Sequence, residues 1–266
     1  MKRSIIIGDV HGCCTELYAL LEKVQPTSND VVIFVGDLVD KGPDSAGVVR
    51  LARRIPENYG AEVILVDGNH EEKHRRFRKY ENGCPGAGDE LRGADEMRSI
   101  TKRLDEDDIA FLESGVICHE IKHHDALVVH AGVPPVLKHV PTDFEGYWSK
   151  RKKARKVTDQ MLRVRFVNPK GWMVALGREK EDDVYWSEAY DGRFGKVFYG
   201  HQPYVLTKRV VVKNNTYGLD LGCVYGNVLA AAILTLGSDM VAFEYASAAG
   251  KYAELNKVAT KRPEYS

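Results

Sequence analysis

Three short fragments of this chain crowd together side chains that bind metal ions: Gly8–Gly12 (GDVHG), Gly36–Asp40 (GDLVD) and Gly68–Glu71 (GNHE). Each follows a run of apolar, mostly β-branched residues, and each offers carboxylate, imidazole or amide oxygen. Two later histidines, His130 of HAG and His201 of YGH, also stand just past apolar runs. In chain order the candidate ligands are Asp9, His11, Asp37, Asn69, His130 and His201. Mixed oxygen and nitrogen donors suit Mn, Fe or Zn, with Ni and Co close behind, better than Mg or Ca, which prefer all-oxygen surroundings. A carboxylate shared by two cations lets them sit about 3.5–4 Å apart. Asp37, central in the chain order, is the candidate bridge. Two divalent ions, Mn²⁺ first among them, would lower the pKa of a shared water to give a bridging hydroxide and would neutralise charge developing on a phosphoryl oxygen. His70 follows Asn69, and adjacent side chains diverge, so one can face the metals while the other faces a leaving group. That makes His70 the candidate general acid, with Asp40 placed to orient it.

Each piece alone is weak. A single buried histidine is more often a hydrogen-bonded structural residue, and an aspartate after a strand is often only a helix cap. Several such strand ends, in order and with complementary donors, outweigh that reading. Asp67 receives no chemical role.

These side chains need strands to deliver them. Ile5–Ile7, Val31–Val35 and Val63–Val66 are short continuous apolar runs, the pattern of strands buried on both faces. Between them, Thr15–Val24 and Ser45–Arg54 carry apolar residues at helical spacing, the second with a cap at Asp44 or Ser45. Strand–helix–strand–helix–strand implies a parallel sheet with ligands at its carboxyl edge. Glu71–Tyr80 reads as a charged helix, Asn82–Gly93 as a Gly-rich loop and Ala94–Glu113 as one or two polar helices. Strands return at Val116–Ile121 and Ala126–His130. Residues 134–180 read as a cap or insertion over the site. Beyond it lie a strand at Lys196–Tyr199, a hairpin of Arg209–Lys213 with Thr216–Leu221, and a meander of Val228–Leu234 with Met240–Tyr245. The expectation is an α/β fold: a βαβ half followed by a mostly antiparallel half, forming two packed mixed sheets flanked by helices. No linker divides the chain, so residues 1–266 read as one domain with a frayed C-terminal tail.

Composition excludes several classes. The 38 basic and 38 acidic residues balance, so no global field draws the chain to nucleic acid or membrane. The basic run Lys150–Lys156 (KRKKARK) reads as a solvated helix face, since no aromatics interleave with it. Trp148, Trp172 and Trp186 read as core or cap packing rather than base-stacking platforms. The five cysteines form no CxxC pair, which fits free thiols in a reducing compartment. With no signal-peptide or membrane-spanning run, the expected location is the cytoplasm.

The segments GDVHG, GDLVDKGPDS, GNHE, HAG, YGH and LDLGCVYG together resemble the phosphoprotein-phosphatase branch of the calcineurin-like metallophosphoesterases, from residue 8 to residue 227. Bacterial members are most similar: symmetrical diadenosine tetraphosphatases, related nucleotide phosphatases and the phosphatase module of polynucleotide kinase–phosphatase. Tyr217–Gly226 matches their late signature, and Arg163–Asn168 (RVRFVN) is similar to a stretch of the tetraphosphatases. The resemblance implies that Asp9, His11 and Asp37 hold one metal, and that Asp37, Asn69, His130 and His201 hold the other. It also implies that His70, supported by Asp40, protonates the leaving alkoxide, and that Asp220 stands behind the ligands. The family usually has arginine after GDxxD. Here Lys41 keeps the charge but not the planar two-pronged grip on phosphate. Arg193 and Arg178 are weak candidates for a second phosphate-binding cation, each more readily an ordinary surface residue.

The leading expectation is a hydrolase of phosphate esters or anhydrides, with a dinucleoside polyphosphate or related nucleotide as substrate. The runner-up is a serine/threonine protein phosphatase acting on phosphoproteins. Trimming of RNA-end or cyclic phosphates is a third reading. A non-catalytic metal-binding module is a different class, disfavoured by the full set of ligands beside His70.

Overall fold

A computed structural model of the chain describes residues 2–139 and 152–254. Strand β1 (Arg3–Ile7) leads into α1 (Cys14–Val24), β2 (Val31–Phe34), α2 (Ser45–Arg53), α3 (Ile55–Tyr59) and β3 (Glu62–Leu65). Helices α4 (Asn69–Gly83), α5 (Ala94–Thr101) and α6 (Glu106–Glu113) follow, then β4 (Cys118–Ile121) and β5 (Ala126–Val129). Past residue 151 come α7 (Lys152–Arg163) and three two-residue strands: β6 (Phe166–Val167), β7 (Met173–Val174) and β8 (Val184–Tyr185). The chain continues through β9 (Lys196–Tyr199), β10 (Val211–Lys213), β11 (Thr216–Gly218), β12 (Val228–Thr235) and β13 (Val241–Ser247).

The first sheet has the order β13-β12-β1-β2-β3. Its three N-terminal strands are parallel, with Ile5 opposite Val32 and Val32 opposite Val63. Alternation sends Ile5, Ile7, Val32 and Phe34 to one face, against Leu17, Leu20 and Leu21 of α1 and Val48 and Val49 of α2. Ile6, Val31 and Ile33 point the other way, into a core shared with Leu127, Val129 and Val197 of the second sheet. Both faces of β1 and β2 are covered, which is why they read as unbroken apolar runs, whereas the edge strand β3 is only partly buried. Asp44 caps α2 by accepting from the Gly47 amide at 3.1 Å.

The second sheet runs β10-β11-β9-β5-β4. Its β4–β5 and β10–β11 pairs are antiparallel, and Asn214 and Asn215 supply the two positive φ angles that a tight hairpin turn requires. The second half is mostly antiparallel, as expected, with β9 the exception: it is parallel to both β5 and β11. A parallel pair needs a long crossover, and the segment between β5 and β9 supplies one. As a result β5 and β9 release the chain at the same sheet edge, and the Gly200 amide donates to the His130 carbonyl at 2.7 Å.

The described part of 134–180 is tied into the body. Met161, Leu162 and Val167 join the core between the sheets, and the Ala131 amide donates to the Met161 carbonyl at 2.8 Å. Strands β7-β6-β8 form a small third sheet. Trp186 is buried, edge-on to Tyr199 at 4.9 Å, whereas Trp172 is exposed with Lys156 Nζ 4.4 Å from its ring centre. Trp148, the start of the basic run at residues 150 and 151, and the tail from 255 onward lie outside the described residues. The charged helix expected over Glu71–Tyr80 is longer, so Asn69 and His70 open α4 rather than precede it. No helix among the described residues is long and apolar enough to cross a membrane.

Candidate metal centre and active site

The loops after β1 and β2 are stitched together by backbone. The His11 amide donates to the Asp37 carbonyl at 2.8 Å and the Gly12 amide to the Leu38 carbonyl at 2.8 Å. Five of the nine described non-glycine residues with positive φ lie here: His11, Asp37, Asp40, Lys41 and His201. For histidine and lysine that conformation is costly, and strain of this kind persists where the surroundings over-determine it. Glycine lets the loops close. A Cβ at Gly68 would stand 2.1 Å from Asp37 Oδ1, and one at Gly200 would stand 1.8 Å from Asp9 Oδ1.

Asp37 is the hub. His11 Nε2 lies 3.4 Å from one of its oxygens and His130 Nε2 3.4 Å from the other. Two groups of donor atoms, each within 4.8 Å of one another, share it: His11, Asp37 and His70, and Asp37, His130 and His201. Asn69 joins the second group through Oδ1, 3.1 Å from His130 Nε2. Asp9 approaches from β1 and accepts from the His201 amide at 2.9 Å. His11 and His130 each place Nδ1 2.9 Å from a backbone carbonyl, of Val39 and Val35 respectively. A ring that donates from Nδ1 keeps its Nε2 lone pair free for a cation.

The electrostatics fit divalent ions. Burial and the nearby Asp220 and Asp37 carboxylates push Asp9 well above the usual carboxylate range. Burial likewise raises Asp220 to about 6, against the pull of Lys41. Asp37 resists the same burial because His130, His70 and His11 surround it, and it is held far below the usual range. Burial lowers His130, and burial with Lys41 lowers His11, so both rings favour the neutral, ligating form. Asp9 Oδ1 is buried with no hydrogen-bond partner. Crowded carboxylates, neutral imidazoles and an orphaned oxygen are a donor set that cations complete.

His70 sits beside this cluster. Its Nδ1 is 2.6 Å from Asp40 Oδ2 while its Nε2 is 3.9 Å from Asp37 Oδ2. Asp40 is gripped on its other oxygen by His74 Nε2 at 2.6 Å and approached by Lys73 Nζ at 3.3 Å. Burial would raise Asp40, but the bonds from His70 and His74 hold it well below the carboxylate range. Lys41 Nζ lies 2.7 Å from His11 Nε2 and 5.7 Å from the centre of the Tyr225 ring.

The structure does not bring Arg193 or Arg178 to the cluster. Arg193 pairs with Asp191 and donates to the Leu137 carbonyl, and Arg178 is exposed on the turn after β7. Arg165 stands there instead. Half-buried, it donates to the His201 carbonyl at 2.8 Å, and its Nε has no hydrogen-bond partner among the described residues. Burial lowers its pKa, opposed by Asp220, Tyr225, Asp9 and Asp37, which marks it as the cation facing these acids. Its signal was present in the RVRFVN stretch. Glu71 was also passed over: its carboxylate accepts from the amides of Asp37, Leu38 and Gly68 at 2.7, 2.8 and 2.9 Å. His74, four residues after His70 on one helix face, was legible from spacing. Asp67 is structural, paired with Arg75 at 2.6 Å.

Comparison with known proteins agrees with this geometry. The family of calcineurin-like phosphoesterases matches residues 2–205. An asymmetrical bis(5'-nucleosyl)-tetraphosphatase, PrpE of Oceanobacillus iheyensis, is 33% identical over 239 residues, covering 85% of this chain and 86% of its own. A symmetrical bis(5'-nucleosyl)-tetraphosphatase of Cellvibrio japonicus is 26% identical over 273 residues, covering 87% and 95%. The crystal structure of a candidate diadenosine tetraphosphatase shares 26% identity at a TM-score of 0.66, over 92% of this chain and 93% of its own. A Saccharomyces cerevisiae protein serine/threonine phosphatase, 16% identical with a TM-score of 0.55, shares the fold. The family implies divalent metal ions and hydrolysis at phosphorus. The chain belongs to the calcineurin-like phosphoesterase family.

Proposed function

We propose that this chain is a two-metal hydrolase of dinucleoside polyphosphates. The observation that carries it is Asp37, shared by two donor groups, with the His70–Asp40 pair alongside. Asp9, His11 and Asp37 would hold one divalent ion, and Asp37, Asn69, His130 and His201 the other. Bound there, the ions supply Lewis acidity toward water and phosphoryl oxygen at neutral pH. Mn²⁺ is the first choice for this nitrogen–oxygen set, with Fe, Zn, Ni and Co next.

The protein's own groups do the rest. Asp40 accepts from His70 Nδ1 and so orients the ring with Nε2 toward the reacting centre, the position from which a proton would pass to the leaving oxygen. His74 and Lys73 hold Asp40 still. Glu71 fixes the Asp37 loop through three amides, which keeps the bridging carboxylate in place before substrate arrives. Arg165 and Lys41 supply positive charge for phosphoryl oxygens, and Asp220 sets the charge that both must face. Lys41 has to leave His11 Nε2 for that ring to hold a cation, which frees its ammonium for substrate.

The nucleotide reading is supported by the bis(5'-nucleosyl)-tetraphosphatase relatives, which cover most of the chain in both directions. A one-domain organisation over 1–266 is supported by the way Met161, Leu162 and Val167 fill the core between the sheets. A cytoplasmic location is supported by free thiols at all five cysteines. The test is turnover at one Mn²⁺ concentration on diadenosine tetraphosphate, a phosphoserine peptide and a cyclic nucleotide. The highest kcat/KM is expected on the dinucleotide. Preference for the peptide would make the chain a protein phosphatase, and full activity after metal stripping would end the two-metal reading.

A further inference from the structure

A second cluster of donors lies outside the centre just described. Cys13, at the N-cap of α1, Glu16 in the first turn of α1, and Cys223, which opens the 3₁₀ turn Cys223–Tyr225, place their donor atoms within 4.8 Å of one another. All three residues are buried, at 0%, 2% and 2% exposure. Glu16 Oε1 accepts from the Ala249 amide at 2.8 Å and from the Tyr252 hydroxyl at 3.0 Å. Its other oxygen, Oε2, is buried with no hydrogen-bond partner among the described residues. A carboxylate half satisfied and half orphaned beside two sulfurs is an arrangement that folding alone does not reward.

We propose that Cys13, Cys223 and Glu16 form a separate, thiolate-bearing metal site that takes one thiophilic divalent cation of the Zn²⁺ class. Tetrahedral zinc with bonds of about 2.0–2.3 Å separates its donors by roughly 3.3–3.8 Å. Donor atoms within 4.8 Å reach that spacing by closing at most about 1.5 Å, a rotamer-scale adjustment. Soft sulfur favours Zn²⁺ over Mn²⁺, the first choice for the nitrogen–oxygen donors around Asp37. Protons balance simply. Two thiols and one carboxylate take up one divalent cation and release two protons, so binding tightens as pH rises. Both protons pass to solvent; in the metal-free protein the Cys13 thiol donates to the His11 carbonyl at 3.8 Å. The neighbouring Cys13 and burial together push the Cys223 thiol up, so it stays protonated until a cation arrives.

The position gives such an ion a structural job. Cys13 is two residues past His11, and Cys223 is three past Asp220 and two before Tyr225. Glu16 also anchors the closing segment that carries Ala249 and Tyr252. One cation would therefore staple the His11 loop, the Asp220 loop and that segment at a single point behind the reacting groups. Tyr252, which bonds Glu16, is only partly buried.

Cobalt separates this site from the other. The donors around Asp37 include no cysteine, so a thiolate-to-cobalt charge-transfer band in the near ultraviolet reports this cluster alone. The reduced, metal-stripped protein is titrated with Co²⁺. The expected result is a band that saturates at one equivalent per chain, disappears in Cys223→Ser and survives in Cys84→Ser, whose thiol is exposed. Glu16→Gln should keep the band but shift its midpoint at least about 10-fold. No band in the wild-type protein at saturating cobalt overturns the proposal even if no variant folds. An undiminished band in Cys223→Ser, or an unmoved midpoint in Glu16→Gln, overturns it too. The readout is independent of hydrolysis, so it stands or falls apart from the proposed catalytic function.

Discussion

Strand β2 carries a buried aspartate at each end, and the two live differently. Asp30 precedes it, and Asp37 follows it. Asp30 accepts from the Arg3 amide and guanidinium and from the Thr27 amide and hydroxyl, at 2.6–3.1 Å. At the other end, Asp37 adopts φ 51°, its neighbours His11 and Lys41 share that strained region, and Asp9 Oδ1 finds no partner. The same sheet thus has one end closed by its own hydrogen bonds and one end left open. Asp30 is satisfied by hydrogen bonds from Arg3 and Thr27, whereas the Asp37 end gathers histidines and carboxylates on strained backbone and leaves Asp9 Oδ1 without a hydrogen-bond partner among the described residues.

Substitutions can break that contrast. The largest effect belongs to Asp37→Asn or metal stripping, each expected to lower kcat/KM on p-nitrophenyl phosphate by on the order of 10³-fold or more. The urea midpoint of metal-stripped Asp37→Asn should barely fall. A collapse in stability would make Asp37 as structural as Asp30. His70→Ala should cost about 10²–10³-fold with poor leaving groups and much less with p-nitrophenolate, while metal content is unchanged. Equal losses across leaving groups would remove His70 as the acid.

At the closed end the pattern inverts. Asp30→Ala should cost about 2–4 kcal/mol in urea unfolding, with kcat per folded molecule preserved. Burial raises the Asp30 pKa, but the Arg3 and Thr27 bonds overcome this and hold it below its ordinary value. A depressed carboxylate contributes stability above its unfolded pKa and loses it as pH falls through the folded one. The gap between wild type and Asp30→Asn should therefore be full at pH 7 and shrink below about pH 4. A constant gap would mean that charge plays no part there.

Smaller effects sharpen the open end. Arg165→Lys should raise KM about 10-fold with kcat less changed, because a planar fork is lost. Lys41→Arg should tighten inhibition by inorganic phosphate by a few-fold, on the order of 1 kcal/mol. Unchanged inhibition would place Lys41 off the phosphoryl group.

Much of this was visible in the chain itself. The apolar runs at 5–7, 31–35 and 63–66 are β1, β2 and β3; β1 and β2 are legible because strands buried on both faces show no alternation to confuse with a helix. Ala94–Glu113 reads as one or two helices; it is two, and Asp105 caps the second by accepting from the Asp108 amide at 2.7 Å, a local signal hidden by the charge density. Arg165 was missed in favour of Arg178 and Arg193, since three arginines in loop-rich sequence look alike until burial separates them. Glu71 was read only as the start of a charged helix, although its carboxylate turns back to three loop amides.

The sequence alone determined the donor types, their order and the strands that end beside them, because side-chain chemistry and apolar runs are local properties. Only the tertiary structure decided that β9 lies parallel to β5, which brings His201 next to His130, with ring centres 5.1 Å apart. Only it decided which acids are lifted and which are held down, since Asp9 and Asp37 differ in neighbours rather than in burial. Strand pairing and electrostatics both depend on groups far apart in the chain, and no local pattern records who those neighbours are.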